Sequence, residues 1–140
     1  MDPLQSVRAR IPDFPGYGDD LSRRRSDSFV RSYVGEALAN VEGRLGALDP
    51  ELQRRLGELL LRAGFADSQS FTVHNGSNDG TKAFADAEQA VVVEDDAALD
   101  LADRAATVDA AALGSYLDEL TALLDRRAAT MRAVARSSTP

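Results

Sequence analysis

Apolar side chains recur every three or four positions along the first half of the chain, and this spacing predicts amphipathic helices. The first such stretch predicts a helix from about 27 to 45. A second helix is predicted to begin at Asp49 and Pro50, a capping residue followed by the proline that suits a first helical position, and to end at Gly64. The connection between the two stretches is short, so we expect an antiparallel helical hairpin over 27–64.

The same spacing returns in the second half and predicts helices over 94–107 and 109–135. The last of these has a nearly heptad apolar stripe, and at about 1.5 Å per residue it would be ~40 Å long. A domain of this size has a radius of gyration of only ~14 Å, so we expect the stripe to bind a second copy of the chain, a homodimer being favoured. The alternative is that the stripe forms the core of a single domain. Its contact residues are Leu113, Tyr116, Leu117, Leu120, Leu124 and Met131.

The remaining segments have no helical pattern. Prolines and glycines predict an extended arm over 1–20, whose apolar side chains Ile11, Phe14 and Tyr17 either lie against the domain or bind another protein. Turn-forming residues predict an irregular loop over 66–93, and 137–140 is a tail. The expected fold is therefore all-α, with one four-helix bundle-like domain over 21–136.

The charge of the chain narrows the range of partners. Of 140 residues 23 are acidic and 16 are basic, so the formal net charge is −7. The formal net charge is zero over 1–64, −11 over 65–125 and +4 over 126–140. Because an acidic body repels phosphate backbones, nucleic-acid binding is not expected unless it is confined to a short segment.

Composition also removes several kinds of active site. The chain has no cysteine and one histidine, His74, which excludes thiolate chemistry and any site that needs two histidines. The loop near Asn75 resembles a calcium loop, but it has Lys82 inside it and Asp86 at the position of the bidentate glutamate. Read as a phosphate-binding loop, the same segment is one residue short. We predict no catalytic, cofactor or metal residues and no enzyme activity.

One acidic segment and two arginine-rich segments leave alternatives open. Asp96, Asp100 and Asp103 share a helix face, so the acidic segment 94–103 could bind a cation or a small molecule. The arginines at 23–25 or 126–136 could instead serve a small regulator that binds nucleic acid. In both places a solvated, ion-paired helix face explains the same residues.

The start of the chain lacks the apolar core of a secretory signal, and no stretch approaches the ~18 apolar residues of a membrane span. We therefore expect a cytoplasmic protein with no membrane contact. The function that fits these observations is a non-enzymatic helical interaction module, an adaptor or scaffold, which associates with itself through the C-terminal helix. A further protein partner is possible.

Overall fold

Five α-helices run through the part of the chain that the computed structural model describes, which comprises residues 2–64 and 82–137. Their bounds are α1 Pro3–Arg10, α2 Asp20–Leu45, α3 Pro50–Gly64, α4 Lys82–Arg104 and α5 Ala110–Ser137, with a 3-10 turn at Ala105–Thr107 between the last two. No strand occurs within these two ranges, so the predicted all-α class is confirmed. In the same residues, no helix combines the length and the apolarity that crossing a membrane requires.

Helices α2 and α3 form the expected antiparallel hairpin. Asp49 caps α3 by accepting hydrogen bonds from the backbone N–H groups of residues 51 and 52, and Pro50 is the first helical residue, as predicted. The turn before them begins at Gly46, whose φ of +67° favours glycine. Near the other end of the hairpin, a Cβ built on Gly35 would lie 3.4 Å from the side chain of Ala63, so the two helices approach closely there.

Helices α4 and α5 form a second antiparallel pair. The hydroxyl of Tyr116 donates to the backbone carbonyl of Leu101 at 2.6 Å, and Arg104 pairs with Glu119 at 3.1 Å. These contacts lie close to the turn that joins the two helices, and Glu94 accepts from Thr130 farther from it. The second half of the chain is thus a helical hairpin like the first.

The two hairpins meet through parallel pairs of helices. Tyr33 of α2 donates to Asp103 of α4 at 2.6 Å, and Arg44 further along α2 donates to the carbonyl of Val108 after α4 at 2.8 Å. Along α3 and α5 the ion pairs Arg55–Asp118 and Arg62–Asp125 likewise advance in the same direction. The four long helices are thus arranged as two antiparallel hairpins, with α2 running parallel to α4 and α3 parallel to α5.

The prediction of a fully extended arm is wrong for its first half, because residues 3–10 form α1. Asp2 accepts from the backbone N–H of Gln5 at 2.9 Å, while the side chain of Gln5 accepts from the backbone of Asp2. This reciprocal capping box, with Pro3 at the first helical position, begins a helix that the nearby prolines had obscured. We refer to residues 2–17, helix α1 and the non-helical stretch that follows it as far as Tyr17, as the strap.

Two helices begin earlier than predicted. Helix α2 begins at Asp20, not near 27, because Asp19 caps it by accepting from the backbone N–H of Ser22 at 2.7 Å. Helix α4 begins at Lys82, so the predicted irregular loop is wrong over 82–93. Alanine is abundant there and favours helix, and Val91 and Val92 are buried against the core, which outweighs the β preference of the valines. The rest of the predicted loop, 66–81, lies outside the described residues.

Candidate functional site

A buried network of ion pairs joins α2, α4 and α5 to the strap. Arg127 of α5 lies at its centre: its Nε donates to Asp95 of α4 at 2.5 Å, and its Nη1 donates to Asp27 of α2 at 2.7 Å. Tyr17 of the strap donates its hydroxyl to the same Asp95 and accepts from Nη2 of Arg127 at 3.4 Å. Asp95 and Tyr17 are 0% exposed and Arg127 is 4% exposed, so these polar groups interact away from bulk water.

Arg31 extends the network to α3 and balances the charge of the network. Its Nε donates to Asp27 at 2.6 Å, and its Nη1 donates to the carbonyl oxygen of Ala63 at 3.1 Å. Two guanidinium groups thereby face two carboxylates. Paired and hydrogen-bonded charges are the form in which ionised groups persist inside a protein.

Arg127 and Asp95 lie on the buried faces of their helices because of their spacing from apolar residues. Arg127 lies four positions before the buried Met131 on α5, so both project to the same side of that helix. Asp95 lies four positions after Val91 and four before Leu99, and both of these are fully buried. Of the members of this network, the sequence predicted only Tyr17, as a contact residue of the arm. The available signal was a charged residue at a position that the apolar pattern assigns to the core.

Burial and neighbouring charges shift the pKa values of these groups. Burial raises the pKa of the Asp95 carboxyl, while the charge of Arg127 and the Tyr17 hydroxyl oppose that rise. Burial, together with the charge of Asp95, raises the pKa of Tyr17 well above its ordinary value. Burial acts against the charged form of Arg127, but Asp95, Tyr17 and Asp27 raise its pKa well above the usual value. At neutral pH Tyr17 is therefore a neutral donor and Arg127 a cation.

A small cavity adjoins the network between α2, α3 and α5. Its volume is about 30 Å³, which is room for a water molecule and far less than a drug-sized ligand occupies. Val30, Val34 and Leu124 supply apolar wall, and Arg31 and Arg62 lie along its polar edge. The cavity is therefore too small for a ligand larger than water, and the ionic network serves to join helices of the fold.

The acidic face of α4 is covered by an arginine of the strap. The guanidinium of Arg10 pairs with Asp96 at 3.2 Å, with Asp103 at 2.8 Å and with Asp100. Tyr33 also donates to Asp103 at 2.6 Å. The three carboxylates that the sequence offered as a cation site are thus already in contact with a cation from the chain itself.

Divalent cations are consequently expected to leave the thermal stability of the full chain unchanged. A cation would have to displace the Arg10 guanidinium from the face that carries Asp96, Asp100 and Asp103. The measurement is the melting temperature with and without millimolar Mg²⁺, Ca²⁺ or Mn²⁺, at matched ionic strength. A rise that saturates with one of these cations, and that Asp100→Asn removes, would contradict the expectation.

The predicted contact residues of the C-terminal helix lie inside the single chain. Every side chain of the stripe is buried, with exposures from 0 to 8%; its members are Leu113, Tyr116, Leu117, Leu120, Leu124 and Met131. Burial also raises the pKa of Tyr116 to about 12. The alternative stated for this stripe, an internal core, accounts for these positions without a second copy. Self-association through the stripe stays a prediction, and it would require this core to open.

The predicted strap residues are also buried, against the rest of the same chain. Ile11, Phe14 and Tyr17 are 8%, 2% and 0% exposed, and the rings of Phe14 and Tyr17 meet edge to face at 5.9 Å. Because the chain itself covers these side chains, they contribute to the fold in the isolated molecule. They would be available to another protein only if the strap were released.

The arginines offered for nucleic acid are mostly engaged within the chain. Arg23 is buried, Arg24 pairs with Asp20 at 3.1 Å, and Arg127 belongs to the network described above. Arg126 lies 3.9 Å from Glu94. These four arginines are therefore buried or paired within the chain.

Several residues weighed in the sequence analysis, His74 and Asn75 among them, lie outside the described residues. Within 2–64 and 82–137, no group of three or more potential ligand side chains is arranged to hold a metal ion. No family model, no curated protein and no solved structure matches this chain.

Proposed function

We propose that this chain is a non-catalytic protein–protein interaction module, an adaptor or scaffold, whose binding surface is the strap-facing side of α4. The observation that carries the proposal is how α4 holds the strap. Val7, Ile11, Phe14 and Tyr17 are buried, and Arg10 adds a charged contact to three carboxylates. Apolar side chains in a groove with charged residues at its edge are the pattern by which helical proteins recognise short amphipathic segments.

The end of the strap near Tyr17 is also held by specific contacts. The backbone N–H of Tyr17 donates to Glu88 of α4 at 3.0 Å, and Ser26 donates to the carbonyl of Gly16 at 2.6 Å. Within the strap, Arg8 donates to the carbonyl of Phe14 at 3.1 Å, which fixes the bend between its two halves. The strap therefore lies on α4 as a segment with its own shape and anchors at both ends.

A binding role, not a catalytic one, is supported by the state of the buried ionisable groups. Asp95, Asp27 and Arg127 are committed to one another. General acid–base work requires a titratable group within reach of a substrate, and the adjoining cavity of about 30 Å³ admits only a water-sized molecule. Within 2–64 and 82–137, no comparable contact favours the cation-binding or nucleic-acid alternatives.

A peptide of residues 2–19 is expected to bind the full chain when the chain's own strap is weakened. Arg10→Glu places a carboxylate opposite Asp96 and Asp100, so the resident strap loses its charged contact while α4 is unchanged. In the wild-type chain the tethered strap competes at a roughly millimolar effective concentration. Fluorescence anisotropy with a labelled peptide should therefore show tighter binding to the variant than to the wild type, by at least about tenfold.

A matched peptide separates specific binding from adhesion. Phe14→Ser and Tyr17→Ser remove two buried anchors from the peptide and keep its charge, so this peptide should bind neither protein. Circular dichroism would verify that the Arg10→Glu chain is folded, as expected because the substitution leaves every buried core side chain in place. A folded variant that does not bind the wild-type peptide would refute the proposed function.

A further inference from the structure

Most contacts between the strap and the rest of the molecule are made with one helix, α4. Among the described helices, α1 makes its extensive contacts with α4 alone. The anchors of the strap at Arg10 and at the backbone of Tyr17 also end on α4, at the Asp96 face and at Glu88. Helix α4 therefore supplies most of these contacts, while Ser26 of α2 and Arg127 of α5 hold the end of the strap at Gly16 and Tyr17.

The connection between the strap and α2 is very short. Only Gly18 and Asp19 separate the buried Tyr17 from Asp20, the first residue of α2. A Cβ built on Gly18 would meet nothing within 4 Å, so this point has room to change direction. A short hinge next to an element with its own set of contacts is the arrangement that favours exchange of that element between two copies.

The charges on α4 suit a strap from another copy as well as its own. Three carboxylates, from Asp96, Asp100 and Asp103, face the single guanidinium of Arg10, so the face has a surplus of negative charge. An incoming strap with arginine at this position finds the same complementarity that the resident one does. A strap without it finds repulsion.

We propose that two copies of this chain associate by exchanging residues 2–17, so that the strap of each lies on α4 of the other. The proposal rests on the proposed function and names the partner of that surface. The contacts made between copies are the contacts already made within one, so exchange requires that the strap leaves its own α4 and that the hinge at Gly18 and Asp19 opens, and every contact broken is made again in the dimer. The dimer fraction therefore grows with protein concentration.

A charge-swapped pair of variants tests the exchange directly. Arg10→Glu gives a strap that its own α4 repels, and Asp96→Lys with Asp100→Lys gives an α4 that repels its own strap while Asp103 keeps its bond to Tyr33. In each variant alone, the charge at position 10 of the strap repels the charges of α4, whether the strap lies on its own copy or on an identical one. In an equal mixture, an exchanged heterodimer places Glu at position 10 against the lysines and Arg10 against the aspartates, so the charges attract at both straps. Light scattering after size exclusion should then show twice the 15.0 kDa mass in the mixture and 15.0 kDa for each variant alone.

A second pair of variants controls for charge attraction in general. Arg55→Glu and Asp118→Lys make the same kind of swap across the α3–α5 ion pair, remote from the strap, and their mixture should keep the mass of its components. Two folded strap variants whose mixture does not gain mass would overturn the exchange, as would an equal gain in the control mixture. If the strap peptide binds in the anisotropy experiment but the mixture stays monomeric, only the exchange is refuted. If the peptide does not bind, the proposed function itself fails.

Discussion

Replacing Arg127 with methionine is expected to lower the free energy of unfolding by about 3–5 kcal/mol, a large part of the ~5–15 kcal/mol that keeps a domain folded. Methionine fills much of the same space but leaves Asp95 without its cation and Asp27 with only Arg31. The loss arises because buried carboxylates remain uncompensated. Urea denaturation followed by far-ultraviolet circular dichroism measures it.

The neighbouring arginine provides a matched control. Arg126 is exposed and lies 3.9 Å from Glu94, so Arg126→Met should change stability by no more than about 1 kcal/mol. Adding Asp95→Asn to Arg127→Met should recover part of the loss, because the stranded charge disappears with the carboxylate. Equal stabilities for Arg126→Met and Arg127→Met would contradict the description of the network as a buried ionic centre.

Leu120→Asp is expected to unfold the chain. Leu120 is 0% exposed within one copy, and truncating such a leucine to alanine already costs about 2–5 kcal/mol. A carboxylate at the same position would also be buried without a partner, which adds several kcal/mol more. The combined loss reaches the total stability of a typical domain, so circular dichroism should show a chain with little helix.

Ala122→Asp tests whether position within the helix determines this result. Ala122 is on the same helix but exposed, so its replacement should leave the chain folded. A Leu120→Asp chain that kept its helix content, and whose mass by light scattering was lower than that of the wild type, would contradict the internal position. It would instead place the stripe between two copies, as the sequence had suggested.

The parts of the fold that the sequence predicted are those in which local signals agree with one another. Helix α3 is the clearest case, because the cap at Asp49, the proline at position 50 and Gly64 at the end all support one apolar periodicity. The apolar stripe of α5 was identified residue by residue. The partner of the stripe was not, since periodicity shows that a face is buried but does not show what covers it.

The errors occurred where local and tertiary preferences compete. The valines at 91–93 favour a strand by propensity, yet Val91 and Val92 are helical and buried against the core. The prolines at 12 and 15 correctly exclude helix from the second half of the strap, but they gave no reason to exclude it from 3–10. Asp2 and Gln5 have the spacing of a capping box, which is the sequence signal for this helix.

The candidate site was the least predictable part because its members are distant along the chain. Asp27 and Arg127 are 100 residues apart, and no spacing rule relates them. The acidic residues of α4 show the same limit: Asp95 turns inward to Arg127, while Asp96 turns toward Arg10. Adjacent positions of one acidic run therefore have different roles, which only the placement of the neighbouring helices reveals.

Contacts within a hairpin and contacts between the two hairpins differ in the length of chain that they close. Contacts within each hairpin close short loops, as between Gln53 and Glu42, 11 residues apart, whereas the contact of Asp27 with Arg127 closes one of 100 residues. Loop entropy therefore favours formation of the hairpins first and their association afterwards. The ionic network has members in both hairpins, so it is complete only after they have associated. Contacts that form late act mainly on the rate of unfolding, so we expect substitutions in this network to shorten the lifetime of the native molecule more than they slow its folding.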